Sequence, residues 1–168
     1  MASKTSFSAD EWNRILESVM LSGMAVTAAD PSGLLGVLKE SMATGKTLLA
    51  AKADPTSNEL IKSVVSDFET SEGRQTARNQ VQSRLKGVPI GEMKGKSIAA
   101  LRELSALLDS KAPADAVGFK TWLHHIAENA AEASSEGGFM GFGGTRVSDA
   151  EKATLTELSS ALGIAAGH

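Results

Sequence analysis

The chain is predicted to fold as an all-α, single-domain bundle of six to seven helices spanning residues 1–168. Three observations carry that expectation. Apolar residues recur every three or four positions in one segment after another, which is the period of a helix face. Many of these segments open with Ser, Thr or Asp followed three residues later by Glu, or with Pro at the first turn; both patterns satisfy or remove the free amides of a helix start. No window shows the sustained apolar/polar alternation of a half-buried strand, and β-branched runs are short.

Phe7-Ser8-Ala9-Asp10-Glu11-Trp12 opens the first helix. Ser8 and Glu11 stand as a capping box, and Phe7 and Trp12 occupy the two positions of a hydrophobic staple. Trp12, Ile15, Leu16, Val19 and Met20 then share a face, and the helix is expected to reach about Ala29. Asp30-Pro31 starts a second helix, with Pro31 where a missing N–H costs nothing. Leu48 and Leu49 continue its apolar positions toward Lys52. Thr56 and Glu59 read as a capping box for the third helix, whose face is Leu60, Ile61, Val64, Val65 and Phe68. Glu72 to Lys86 is the most polar helix, with the narrow stripe Ala77, Val81 and Leu85. After the turn Gly87 to Gly91, the fifth helix carries Ile98, Leu101, Leu104 and Leu108. Ala112-Pro113 begins the sixth, with Phe119, Trp122, Leu123 and Ile126 on its face. The last begins at Ser148, where Ser-Asp-Ala-Glu151 is another capping box, and ends near Gly163.

Composition narrows the chemistry. A length of 168 residues suffices for a real core, and no linker divides it. The chain has no Cys, which excludes disulfides, thiol catalysis and thiolate metal sites. A net charge of −3 is too small to imply a polyionic partner. Aromatics make up only 4%, so the helices must pack through Ala, Leu, Val, Ile and Met. No stretch approaches the roughly 18–20 apolar residues of a membrane span. The first residues lack the apolar core of a secretory signal, and the expected location is the cytoplasm of a prokaryote-like cell.

Several motifs invite function. Gly45-Lys46-Thr47 lacks the glycine five positions earlier that a phosphate loop needs, since Glu40 stands there. Glu136 to Arg146 interleaves glycines with Phe139, Met140 and Phe142. Its backbone amides could cradle an anion, but no Lys follows and Ser148 with Glu151 already caps the next helix. The loop is therefore read either as structural or as an apolar contact surface through Phe139, Met140 and Phe142. His124, His125, Glu128 and Glu132 are metal-ligand types at helical spacing; by helical angle they fall opposite Phe119 and Ile126, on the expected solvated face. Arg74, Arg78, Arg84, Lys86, Lys94 and Lys96 form a basic stretch with no aromatic residue for base stacking, so no nucleic-acid partner is expected. No serine sits in Gly-x-Ser-x-Gly.

Ile126-Ala-Glu-Asn-Ala-Ala-Glu-Ala-Ser-Ser-Glu-Gly-Gly138, then Val147-Ser-Asp-Ala-Glu151, then Leu155-Thr-Glu-Leu-Ser-Ser-Ala-Leu-Gly-Ile164, resembles the all-helical TerB-like family of tellurite-resistance proteins. Ala25 to Gly33 echoes the same helix-to-turn step, a weak internal repeat. The resemblance implies a helical bundle with a role in stress response, and divalent-metal binding by Asp30, Glu136, Asp149 and Glu151. Asp149 and Glu151 also read as acidic residues placed favourably at a helix N-terminus. The leading expectation is a non-enzymatic protein with no cofactor, acting by contact with a partner protein or a second copy of itself. The alternative is a metal- or oxyanion-binding stress protein.

Overall fold

Seven α-helices follow one another in the computed structural model, with no strand among the described residues, which are 1–29, 36–54, 56–135 and 147–165. The all-α expectation holds. α1 (Ala9–Thr27) begins as its sequence dictates: the Ser8 amide donates to Glu11 Oε2 at 2.8 Å, and the Glu11 amide returns to Ser8 Oγ at 3.3 Å. The Phe7 and Trp12 rings close the staple with centroids 6.1 Å apart.

α1 is the hub of the bundle. It packs against α2 (Gly36–Ala53), α4 (Ser71–Leu85), α5 (Ile90–Lys111), α6 (Pro113–Ser135) and α7 (Asp149–Leu162). A helix surrounded on several sides must bury polar positions as well as its apolar face. Ser18 and Ser22 meet this by donating back to the carbonyls of Ile15 and Ser18, at 2.6 and 2.9 Å. Glu17 is almost wholly buried, and its carboxylate is held bidentately by Arg84 Nε at 2.6 Å and Nη2 at 3.0 Å. That carboxylate holds the Arg84 guanidinium above its ordinary pKa. Around it the core includes Leu60 and Val64 of α3 (Glu59–Glu69), Leu101 and Leu108 of α5, Phe119, Leu123 and Ile126 of α6, and Leu158 and Leu162 of α7.

α3 and α4 meet at a single joint, Thr70, which ends one and caps the other by accepting the Gly73 amide at 2.9 Å. The corner is tight enough to demand glycine: a Cβ at Gly73 would lie 2.1 Å from the Asp67 carbonyl oxygen. The corner is pinned to α1 by Trp12 Nε1, which donates to Asp67 Oδ2 at 2.7 Å. α7 opens with the expected Ser148–Glu151 box and closes on Gly163 at φ +67°, a left-handed cap that suits glycine.

One start differs from the sequence reading. α3 is capped by Asn58, whose Oδ1 accepts the Ile61 amide at 2.9 Å, not by Thr56. Thr56 is turned back toward α2: its amide and hydroxyl both donate to Asp54 Oδ1, at 2.8 and 2.6 Å. The local Asx turn outcompetes the box, and Asn58 gains a second bond by donating to the Asp115 carbonyl at 3.0 Å. The expected Asp30-Pro31 start of α2 lies outside the described residues.

Candidate functional site

The second half of α2 separates two concavities of opposite character. Its residues 44, 45, 48, 49 and 52 face one; 47, 50 and 51 face the other, as a helical period requires, joined there by Asp54 just past its end. Few of these residues are buried: Thr47 and Ala51 are, whereas Leu49 is 68% exposed. The adjacent pair Leu48-Leu49 explains the first surface. Neighbours on a helix point about 100° apart, so Leu48 packs against the core while Leu49 is left outside it.

The first concavity is a groove of about 370 Å³ between α2, α3 and α4, with a floor of Met20, Leu48, Val65 and Phe68 and Leu49 on its wall. Its polar wall is mostly cationic: Lys52, Arg74 and Arg78, with Glu69. Lys52 pairs with Glu69 across the groove. Arg74 Nη1 donates to the carbonyls of Phe68 and Glu69 at 2.8 and 2.9 Å, closing the end of α3. Arg78 stands four residues on along α4, so two like charges share one helix face.

The second concavity is a cleft of about 580 Å³ between α2, α3 and α6, reached also by Ile164 and Ala165. It is lined by hydroxyl, amide, imidazole and carboxylate groups and by the Trp122 indole. Hydrogen bonds from the Thr56 side chain and amide hold the Asp54 carboxyl below its ordinary pKa. Glu128 sits between two imidazoles, with Oε1 3.4 Å from His124 Nδ1 and Oε2 3.1 Å from His125 Nδ1. Trp122 is 8% exposed, and its indole N–H has no acceptor among the described residues.

His124 corrects the sequence reading. It was expected on the solvated face; α7 covers it, leaving 9% exposed. His124 Nε2 lies 2.8 Å from Ser159 Oγ and 3.2 Å from the Leu155 carbonyl oxygen. The helical angle placed His124 away from Phe119 correctly, but it could not anticipate a second helix on that side. His125 and Glu132 are exposed, as expected, and Glu128 is half-buried.

Ser159, His124 and Glu128 thus stand in the order of a catalytic triad. Their surroundings argue against nucleophilic chemistry. Ser159 is 3% exposed within α7, its hydroxyl donates to the Leu155 carbonyl of its own helix at 3.1 Å, and it lines neither concavity. Among the described residues, buried Ser159 joins α7 to His124 of α6, with Glu128 beside the imidazole.

Of the residues the sequence singled out, Phe139, Met140, Phe142, Asp30 and Glu136 lie outside the described residues. Asp149 and Glu151 are not brought together. Glu151 is buried and accepts the Ser148 amide at 2.7 Å, while Asp149 projects into solvent 3.8 Å from Lys152 Nζ. Two residues apart, they point about 200° apart around α7. Among the described residues no group of three or more His, Asp or Glu is placed to hold a metal ion. The basic stretch is dispersed by its partners, with Arg84 on Glu17 and Lys94 on Glu157. Among the described residues no helix is long and apolar enough to cross a membrane. Comparison with protein families, curated proteins and solved structures found no match.

Proposed function

We propose that this chain is a non-enzymatic interaction protein, and that the α2–α3–α4 groove receives an acidic, amphipathic helix of a partner protein. One observation carries the reading: an apolar floor beside an exposed leucine, with a mostly cationic polar wall. A helix laid along such a groove places its apolar side chains on Met20, Leu48 and Phe68 and covers Leu49. Its flanking carboxylates meet Arg74 and Arg78, whose mutual repulsion an anion relieves. The resemblance to TerB-like proteins adds a stress-response setting to this proposal, and the Phe139–Met140–Phe142 loop is a second surface through which a partner or a second copy would bind.

The test uses a labelled helical peptide of roughly 16 residues, long enough to be marginally helical alone, with Leu at helical spacing and Glu flanks. Anisotropy should report binding that weakens with salt, as an interaction with exposed charges must. Leu49→Ser should raise Kd about five- to thirty-fold, from about 1–2 kcal/mol for a leucine that is already partly covered. Loss on Leu49→Ser but not on Phe139→Ser/Met140→Ser/Phe142→Ser assigns the contact to the groove; the reverse assigns it to the loop. No binding to the intact protein, or concentration-dependent dimers that Leu49→Ser abolishes, would replace the partner helix by no partner or by a second copy.

A further inference from the structure

We propose that the cleft between α2, α3 and α6 binds a small organic cation, a primary ammonium on an aromatic or apolar body, independently of the groove on the other side of α2. The cleft has the volume of a small-molecule site at about 580 Å³. Its charge is one-sided. Asp54 and Glu128 line it, and no Lys or Arg does. Lys62, whose field reaches Asp54, is engaged by Glu59 at 3.2 Å.

The carboxylates differ in how they are held, and both arrangements leave room for a cation. Thr56 places both of its bonds on Asp54 Oδ1, leaving Oδ2 unbonded among the described residues. Those bonds lower the Asp54 pKa from its ordinary value. Glu128 is oriented by its two imidazole neighbours and is only half-buried, so its charge is fixed in direction yet accessible.

Trp122 is an independent observation. The residue lines the cleft, and an indole attracts cations. Its buried N–H lacks an acceptor among the described residues, an unusual state for a native structure. Ile61, Ile164 and Ala165 supply apolar surface for the ligand body. The chemistry selected is therefore an ammonium carried on an aromatic or apolar body.

Three probes share one ring and differ in charge: tyramine, its neutral alcohol analogue 2-(4-hydroxyphenyl)ethanol, and the 4-hydroxyphenylacetate anion. Calorimetric titration of the full chain should show tyramine binding about tenfold or more tighter than either analogue. Asp54→Asn/Glu128→Gln should weaken tyramine about fivefold or more while leaving the groove peptide unaffected. Asp54→Asn alone keeps the Oδ1 acceptor for Thr56 and decides the matter if the double variant fails to fold. Equal binding of the alcohol or the carboxylate overturns the proposal. So does undiminished tyramine binding in Asp54→Asn/Glu128→Gln, or no heat from tyramine at about 10 mM, a concentration that reaches even very weak sites.

Discussion

Replacing Arg84 by Met should destabilise the protein by about 3 kcal/mol, and replacing Glu17 by Leu in the same molecule should restore most of it. Glu17 is 1% exposed in the centre of the bundle, and its two carboxylate oxygens are held at 2.6 and 3.0 Å by one guanidinium. The attraction is large in gross terms: a pair at that separation is worth about 6 kcal/mol at an effective dielectric near 20. Most of it offsets the cost of taking a carboxylate out of water. Breaking such a pair from one side leaves that cost unopposed, and typical losses are about 3–5 kcal/mol. The lower end applies here, because Arg14 lines the small cavity beside the pair and can reorient toward an orphaned Glu17. In a chain of this length, about 3 kcal/mol corresponds to roughly 6–12 °C in Tm. Urea unfolding of the wild type, Arg84→Met, Glu17→Leu and Glu17→Leu/Arg84→Met closes the cycle. A single-variant loss below about 1 kcal/mol would refute the reasoning, as would additive losses in the double variant, since each contradicts a coupled buried charge.

Two further outcomes test the joints around α3. Gly73→Ala should cost about 2 kcal/mol by chemical denaturation, because a Cβ placed 2.1 Å from the Asp67 carbonyl oxygen forces the α3–α4 corner apart, outweighing alanine's helix preference of about 1 kcal/mol; an unchanged or raised midpoint would mean the corner yields freely. Asn58→Ala should lose about 1–2 kcal/mol with the cap, and Thr56→Ala clearly less, because Asn58 accepts the Ile61 amide and Thr56 does not; the opposite order in thermal melts would restore Thr56 as the cap.

The fold was legible because local signals agreed with one another. Ser8–Glu11 and Ser148–Glu151 are capping boxes in sequence and in structure, and Gly163 ends the last helix as expected. Where two local devices competed, sequence could not rank them: Thr56 had both a Glu three residues ahead and an Asp two residues behind, and the Asx turn with Asp54 prevailed. His124 shows a different limit. Its helical angle was read correctly, but burial depends on whether another helix packs there, and α7 does.

The candidate site was less legible still, because concavity belongs to the arrangement of helices. Leu48, Leu49 and Phe68 read as apolar positions of separate helices, and Arg74 and Arg78 as members of a basic stretch. Their convergence across α2, α3 and α4 follows from the sharp Thr70 joint. The Leu48-Leu49 adjacency was no signal by itself, since the adjacent pairs Ile15-Leu16 and Leu60-Ile61 are both buried. The cleft likewise assembles Asp54, Trp122 and Glu128 from separate segments. Trp122 was expected on the apolar face of α6, where it is indeed buried, but its unpartnered N–H is visible only in three dimensions.

The central claim, that the protein acts through the α2–α3–α4 groove, is tested most directly by amide shift perturbation in the isotopically labelled chain titrated with the Glu-flanked helical peptide. The account predicts perturbations concentrated at Thr44 to Lys52, Val65 to Glu69 and Arg74 to Arg78, and their loss when the flanking Glu residues are replaced by Lys. Perturbations centred on Glu136 to Arg146, or equal responses to the two peptides, would contradict it.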